Sequence, residues 1–241
     1  MALFGKLFEK KYCAVCGKEL GLFGKTKIAE GHICSDCSGV LSPHFHAYRS
    51  ATVDDIKAQM DYREENKKAV ASFNVTRTLG NKTRVFVDED QGKVIITSTD
   101  PSGWASYNPD VFDFSQITGC ETEVRETKTE LRRKDAEGNM VSYDPKRYDT
   151  DYDIFLTVYF NHPYVEQIEF KVNRDRLESR ALPEFRDAER LANEIKNALA
   201  GIRAETRAAA APKKAVVCPH CLATTIPDAN GCCEYCGSSI A

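Results

Sequence analysis

The sequence predicts an α+β protein, in which a small antiparallel β-barrel is capped by a C-terminal helix and flanked by two small cysteine-rich modules. Three observations support this fold class. Two Cys-x-x-Cys pairs lie near each end of the chain. Residues 73–180 contain several short runs of alternating apolar and polar side chains without a helical pattern between them, which favours an antiparallel sheet. Residues 183–202 then repeat apolar side chains at helical spacing.

Four cysteines at each end of the chain have the spacing of a structural zinc site. The first set follows the pattern C-x2-C-x17-C-x2-C and the second set follows C-x2-C-x11-C-x2-C. Two residues between paired cysteines allow a tight turn that directs both thiolates at one ion, about 2.3 Å away. We therefore predict two Zn²⁺ sites. Their ligands are Cys13, Cys16, Cys34 and Cys37 in the first module, and Cys218, Cys221, Cys233 and Cys236 in the second.

Disulfide, redox and iron-binding roles are the alternatives for these cysteines. Disulfides need an oxidising compartment, and residues 1–30 lack the uninterrupted apolar stretch of a secretory signal. A thioredoxin-like redox site would use a single Cys-x-x-Cys pair, whereas these pairs come in twos. Iron in place of zinc is the third alternative. The other two cysteines are interpreted as a buried apolar side chain in a strand, Cys120, and a bystander to the second site, Cys232.

The composition is that of a globular protein, and we expect it in a reducing cytoplasm. The 241 residues are 42% apolar and 29% charged, with a formal net charge of −3. Residues 73–180 hold 15 Lys and Arg against 20 Asp and Glu, which argues against a phosphate-binding surface in that region. No apolar run approaches the length of about 18 residues that a membrane-spanning helix needs, so no transmembrane segment is expected.

Residues 1–47 are predicted to be a zinc module of treble-clef-like order. A packing segment at 1–11 precedes the knuckle at Cys13, and glycines punctuate a hairpin after it. The second cysteine pair should begin a helix at Cys34 that ends by Pro43, because thiolates favour the free amides of a helix N-terminus. So short a module buries little apolar surface, so the metal is expected to supply its folding free energy. Four cysteines close the shell, which leaves three histidines at the surface: His32, His44 and His46.

A helix over residues 48–72 is predicted to connect the first module to the barrel. Thr52 and Asp55 have the spacing of a capping box, and this segment contains neither Gly nor Pro. The second half of the helix is almost entirely polar, so we interpret its side chains as a solvated face.

Residues 73–202 are predicted to be the barrel and its capping helix. A turn that Gly92 permits separates the first two of about six strand runs, which lie at 85–87, 94–96, 112–114, 117–124, 152–160 and 168–172. The helix begins near Pro183 and buries one apolar face, made of Phe185, Ala188, Leu191, Ala192, Ile195, Leu199 and Ile202. Strands followed by one capping helix favour a pleckstrin-homology-like barrel. A lipocalin-like or cystatin-like fold is an alternative that would place the helix differently.

The C-terminal part of the chain is predicted to be a flexible linker and a second metal module. Residues 203–217 are rich in alanine and contain Pro212 and two lysines, which is typical of a linker. Residues 218–241 then form a zinc ribbon with two cysteine knuckles. His220 lies between two ligands and cannot easily reach the same ion, so it is expected to be exposed.

Three segments of the chain resemble known bacterial domains. The segment from Cys13 to Lys27, followed by Gly31–Cys37, resembles the N-terminal zinc module of an uncharacterised bacterial family that is labelled only as a domain of unknown function. Residues 113–121, Asp-Phe-Ser-Gln-Ile-Thr-Gly-Cys-Glu, are similar to a strand pair in bacterial pleckstrin-homology-like domains. The tail resembles a short bacterial zinc ribbon. These resemblances imply an architecture and a bacterial cytoplasmic origin, but no activity.

The function expected from the sequence is a non-catalytic, zinc-binding interaction or scaffold protein with an unknown protein partner. The sequence lacks a G-x-S-x-G motif, a phosphate loop and a dinucleotide fingerprint, and closed four-sulfur sites leave no position for an activated water. A nucleic-acid-binding zinc-ribbon protein is the alternative, because residues 6–27 and 203–214 are basic. A peripheral lipid-binding adaptor is the second alternative, with a single basic run at 132–134.

Overall fold

The computed structural model divides the chain into two compact units, Met1–Arg203 and Ala204–Ala241. The residues that it describes are 11–21, 24–210, 215–227 and 231–240. Most of the predicted N-terminal packing segment lies outside this set. So do residues 211–214 of the predicted linker, whereas residues 203–210 of that segment are helical.

The first module contains two short hairpins and a one-turn helix, in the predicted order. Ile28, Ile33 and Phe45 form a small core with three of the four cysteines. The helix begins directly after Cys34 and ends before Pro43. The elements are β1 (Lys11–Tyr12) paired with β2 (Glu19–Leu20), β3 (Lys25–Ile28) paired with β4 (Gly31–Cys34), and helix α1 (Ser35–Gly39).

Helix α2 (Val53–Ser72) follows, and the predicted capping box is confirmed at its start. The hydroxyl of Thr52 accepts a hydrogen bond from the amide of Asp55 at 3.2 Å, and the Asp55 carboxylate accepts one from the amide of Thr52 at 2.9 Å. The interpretation of the second half of this helix as a solvated face is wrong for Arg63 and Asn66, which are buried. Their partners are described with the candidate site below.

A four-stranded antiparallel sheet comes next, in which each strand pairs with the following strand of the chain. Gly92 has a φ of +66° in the turn between its two central strands, as the sequence predicts. Both faces of these strands are buried, because Phe86 and Ile95 on the second face pack against Trp104. The elements are β5 (Arg77–Gly80), β6 (Arg84–Asp88), β7 (Lys93–Thr97), the short helix α3 (Trp104–Tyr107) and β8 (Val111–Asp113).

A second antiparallel sheet has three strands in the order β11-β10-β9. Two of its strands are much longer than the sequence predicts and form an extended hairpin. They are β9 (Ile117–Lys134, 18 residues) and β10 (Met140–Phe160, 21 residues), and the third strand is β11 (Gln167–Lys171). Beyond residue 154 of β10 the hairpin packs into the core, whereas most side chains nearer its turn are exposed.

The prediction of a closed barrel is wrong. In the part of the chain that the structure describes, no strand pairing joins the two sheets, which instead face one another across a shared core. Phe112 of the first sheet stacks on Phe160 of the second, with ring centroids 4.1 Å apart. Helix α4 (Pro183–Ala210) closes this core with the apolar face that its sequence predicts, including Ile195 and Leu199 at 0% exposure.

The second unit contains a two-stranded hairpin and the second set of cysteines. Strand β12 (Val216–Val217) pairs with β13 (Thr224–Thr225). Across the described residues of both units, no helix combines the length and the apolar character needed to cross a lipid bilayer.

Candidate metal centres

The structure brings all eight predicted ligands together in two groups of four. Within each group, the sulfur atoms lie within 4.8 Å of one another. In the first group, the Sγ atoms of Cys13 and Cys37 are 3.9 Å apart and those of Cys16 and Cys34 are 3.7 Å apart. Four sulfurs bound tetrahedrally to zinc at 2.3 Å would be about 3.8 Å apart. The sulfur positions therefore fit one tetrahedral ion.

The second group has the same dimensions as the first. The Sγ atoms of Cys218 and Cys236 are 3.6 Å apart, and those of Cys221 and Cys233 are 3.7 Å apart. Cys218 and Cys233 are buried, whereas the other two cysteines are exposed. Each group could therefore hold one metal ion, and thiolate donors in a tetrahedral arrangement are those that zinc prefers.

Three of the four cysteine pairs lie in the same backbone turn, the knuckle. In each knuckle, the amide of the first cysteine donates a hydrogen bond to the carbonyl of the residue five positions later. The carbonyl of the same cysteine accepts a hydrogen bond from the amide of the residue four positions later. The bonds at Cys13 involve Lys18 and Gly17, at 2.8 and 2.9 Å. The residue directly after the second cysteine has a positive φ in all three knuckles, which directs the chain back on itself. These residues are Gly17 (+74°), Leu222 (+58°) and Gly237 (+72°).

The fourth pair is built differently, at the N-terminus of a helix. Cys34 is the N-cap of α1, and its sulfur accepts a hydrogen bond from the amide of Cys37 at 3.5 Å. The amide of Cys34 in turn donates to the sulfur of Cys13 at 3.3 Å. Backbone N–H groups therefore point at the sulfurs from both halves of the first site, as expected for negatively charged ligands.

Hydrogen bonds favour the ionised form of one sulfur in each group. Burial of Cys13 opposes ionisation, but amides of Cys16, Cys34 and Val15 outweigh it and lower the pKa of Cys13 to about 6. Hydrogen bonds from Ser238 lower the pKa of Cys236 to about 6. By contrast, burial and the neighbouring sulfurs raise the pKa of Cys37. Four thiolates this close together repel one another, so the fully ionised group requires a cation at its centre.

The remaining candidates from the sequence lie outside both groups. Cys120 is half-buried in β9, where burial raises the pKa of its thiol to about 11. Cys232 forms a β-bridge with Ser239 and is not part of the second group. The predicted surface position of His220 agrees with its exposure. None of the five histidines joins either group of four sulfurs.

A buried polar network beside the first site was not anticipated from the sequence. Arg63 of α2 forms an ion pair with Asp110 at 2.6 Å, and the two side chains are only 5% and 1% exposed. Arg63 also donates hydrogen bonds to the carbonyls of Val40 and Asn108, and Asp110 accepts one from the hydroxyl of Ser42 at 2.6 Å. The network therefore joins the chain that leaves α1 to the segment that enters β8.

Asn66 extends this network by one helical turn. Its side chain donates to the carbonyl of Pro109 and accepts from the amide of Val111, at 2.7 and 3.0 Å. Gln59, Arg63 and Asn66 are spaced by four and three residues along α2, so they share one face of that helix. This spacing was the signal in the sequence for a shared polar face, but such a face on a helix is usually exposed to solvent, so the spacing alone does not predict burial.

These features define a class of protein in which one cysteine-rich module precedes a two-sheet domain in the sequence and another follows it. Comparison with known proteins finds a match for the first module. Residues 11–59 match a family described as a domain of unknown function, DUF4428. The match contains the whole first group of cysteines, which agrees with the resemblance expected over residues 12–47. No curated protein and no solved structure matches the chain.

Proposed function

We propose that this chain is a non-catalytic, zinc-stabilised interaction protein that acts as a scaffold in a bacterial cytoplasm. The observation that carries the proposal is the pair of four-sulfur groups, each of tetrahedral dimensions. A shell of four thiolates is typical of structural zinc and leaves no position for a water or a substrate. Among the described residues, no other group of three or more His, Cys, Asp and Glu side chains is arranged to hold a metal. The metal therefore supports folding and not chemistry.

The two-sheet domain supports a further part of this proposal, a pleckstrin-homology-like fold. Four antiparallel strands, three antiparallel strands and one helix follow each other along the chain and share one core. A small sheet protein closed by a C-terminal helix is the arrangement that such a domain requires. Likewise, the order of knuckle, hairpin and helix in the first module supports a treble-clef-like assignment, and the two knuckles of the tail support a zinc ribbon.

The surface that suits an interaction role is the free edge of β9. β9 is the outermost strand of its sheet, and it is 18 residues long. Between residues 119 and 134, no backbone group of this strand hydrogen-bonds to a described segment other than β10 and the turn that joins them. Unpaired amides and carbonyls along a sheet edge are the template for addition of another strand.

The proposed function is tested by measuring metal content and partner binding together. Purified reduced protein should contain about two zinc ions per chain by elemental analysis. A tagged chain in cell extract should retain the same specific partner in repeated pull-downs, and loss of zinc should reduce the capture. Protein without transition metal would exclude structural zinc, and a metal-loaded chain that hydrolyses or modifies its partner would exclude a non-catalytic role.

One observation favours a second candidate function, which is nucleic-acid binding. Lys25, Lys27 and Arg49 line an open groove of about 560 Å³ in the first module, together with Tyr48. None of these three cations forms an ion pair within the described residues. Cations beside an aromatic ring suit a phosphate backbone with exposed bases.

Salt dependence distinguishes this second candidate. Binding to a short single-stranded oligonucleotide should weaken steeply between about 50 and 200 mM salt if three phosphates are neutralised. A variant with Lys25, Lys27 and Arg49 all changed to Ala should lose the gel shift, whereas Lys93→Ala, in the sheet domain, should retain it. Absence of a shift at low salt removes the candidate.

The lipid-binding alternative has less support in the geometry. Its basic run, Arg132 to Lys134, ends β9 and lies next to the turn of the long hairpin, away from the core between the two sheets. Asp135 in that turn accepts amide hydrogen bonds from Glu137 and Asn139, so carboxylates accompany the cations. Co-sedimentation with anionic vesicles is expected to be negative, and binding to them would restore this alternative.

A further inference from the structure

We infer that the free edge of β9 pairs with β9 of a second copy of this chain, in an antiparallel and twofold-symmetric arrangement. The result would be a dimer in which two three-stranded sheets become one continuous sheet. This inference rests on the proposed interaction role and specifies its partner. It follows from the shape of the edge and from the order of charges along it.

The edge of β9 lacks the geometric devices that normally prevent strand addition. Natural edges are blunted by short strands, prolines or bulges. β9 contains no proline, and its pairing with β10 is regular on the β9 side from Gly119 to Lys134. The irregularity in the hairpin lies on β10, between Ser142 and Arg147, and the proline of the hairpin, Pro145, lies there too. The hairpin therefore protects one of its edges and leaves the other regular.

The charges on β9 are divided between its two halves. The half before Thr127 carries Glu121, Glu123 and Glu126, with Arg125 held between Glu123 and Glu169. The half after Thr127 is mostly basic, with Lys128, Arg132, Arg133 and Lys134 against Glu130. Uniform positive charge would repel a second copy, whereas this division attracts one, because antiparallel pairing sets each acidic half against a basic half.

One register satisfies this complementarity. With Thr127 opposite Thr127 of the second copy, Glu121 lies opposite Arg133 and Glu126 lies opposite Lys128, and symmetry doubles each pair. No like charges face one another directly in this register. The smallest shift in register that keeps side chains on matching faces is two residues. A shift in one direction sets Glu126 opposite Glu126 of the second copy, and a shift in the other direction sets Lys128 opposite Lys128, so like charges face one another in both cases. Complementarity therefore selects a single alignment.

Two of the side chains that this register pairs, Glu121 and Arg133, are available for it, whereas Glu126 and Lys128 already form an ion pair with each other within the chain, at 2.8 Å. Glu121 and Arg133 are exposed. Glu121 accepts one hydrogen bond from the hydroxyl of Tyr159 at 3.1 Å, and Arg133 forms no ion pair within its hairpin but lies 5.7 Å from the ring centre of Tyr143. Neither residue contributes to the core. Both can therefore be changed without removing the packing that folds the domain.

A charge-swap experiment on the zinc-loaded chain tests the inference. The wild-type protein should show a monomer–dimer equilibrium by sedimentation velocity over a concentration series. Glu121→Arg and Arg133→Glu should each raise the dimer dissociation constant by about tenfold or more, because each creates two like-charge pairs. The double variant E121R/R133E should return to within about threefold of wild type, since both pairs are restored with their signs exchanged.

The rescue can arise only between chains. Residues 121 and 133 lie about 40 Å apart on one strand, at about 3.4 Å per residue, so they cannot pair within a monomer. Glu137→Arg is the matched control, because it makes the same charge change in the hairpin turn, outside the paired register. It should leave the dissociation constant within about twofold of wild type.

Three results would overturn the inference. A wild-type chain that stays monomeric with two zinc ions bound would exclude self-pairing, and pull-down of a different partner would then assign the edge to that partner. A dimer that neither single variant weakens would lie at another surface. A double variant no stronger than the singles would exclude this register. None of these results would contradict the proposed zinc sites or the interaction role.

Discussion

At the scale of single residues, the cysteine knuckles depend on backbone conformation at the position after the second cysteine. Gly17 and Gly237 occupy it in two knuckles and Leu222 in a third, all with positive φ. A Cβ atom added at either glycine would meet nothing within 4 Å, so a substitution there is limited by conformation and not by space. Leu222 is 77% exposed, so its side chain contributes little burial to offset its strained backbone.

These observations predict opposite effects for exchanges at equivalent positions. Leu222→Gly should stabilise the second site by about 0.5 kcal/mol, because relief of about 1 kcal/mol of strain exceeds the added chain entropy of glycine. Gly237→Leu should weaken the same site by about 1 kcal/mol. Competition with a chelator would report these changes as roughly twofold tighter and fivefold weaker zinc binding. Equal effects of both exchanges would show that φ at this position does not limit the knuckle.

The sequence predicts that these cysteines form two groups, because candidate metal ligands are recognised by both their residue type and their spacing. Four cysteine pairs have few structural explanations, and the sulfur atoms meet as their spacing predicts. The sequence does not reveal the strained backbone at Leu222, because leucine rarely adopts a positive φ. The glycines at the two equivalent positions indicate a positive φ, but the inference for Leu222 requires aligning the three knuckles.

At the scale of secondary-structure elements, α2 is attached to the rest of its unit by a buried ion pair. Arg63→Met should lower the free energy of unfolding by about 3–5 kcal/mol, because it leaves the Asp110 carboxylate buried without its partner. Urea denaturation followed by circular dichroism would measure the loss.

The matched control for Arg63→Met is Lys67→Met, one turn later on the same helix. Its ion pair with Glu64 is more than half exposed, so the cost should be below about 0.5 kcal/mol. Equal losses in the two variants would contradict the structural role of Arg63.

The elements also divide into those that a sequence pattern can reveal and those that it cannot. The capping box of α2 and the apolar face of α4 were predicted because local hydrogen bonds and helical spacing determine them. The outer half of the long hairpin was missed because residues 125–151 have no apolar face, so period-two alternation is absent from them. The polar face of α2 was misinterpreted because its partners are distant in sequence: the amide of Ser42 donates to Gln59, and Asp110 pairs with Arg63.

At the scale of the whole molecule, the two candidate metal sites lie in two different units, and the packing that surrounds each site differs. The second unit, Ala204–Ala241, has short strands and no extensive apolar core among its described residues. The first site lies in a unit that also contains the core between the two sheets. Val40 and Ser42, which follow α1 directly, bond to Arg63 and Asp110. Loss of metal should therefore have different consequences at the two ends.

Removing one ligand from each site tests this difference. Cys218→Ser should release one zinc ion per chain and unfold the second unit, because metal binding supplies most of the folding free energy of so small a module. Thermal unfolding of the first unit should stay unchanged.

Cys34→Ser should also release one zinc ion, expose residues 11–39 to protease and lower the melting temperature of the first unit by several degrees. The sheet core should survive this change, because 22 buried residues form it without the module. Native mass spectrometry and calorimetry would measure both variants, and an unchanged zinc count in either would exclude that cysteine as a ligand. If Cys34→Ser left the melting temperature unchanged, the network around Arg63 would not couple the first metal site to the sheets.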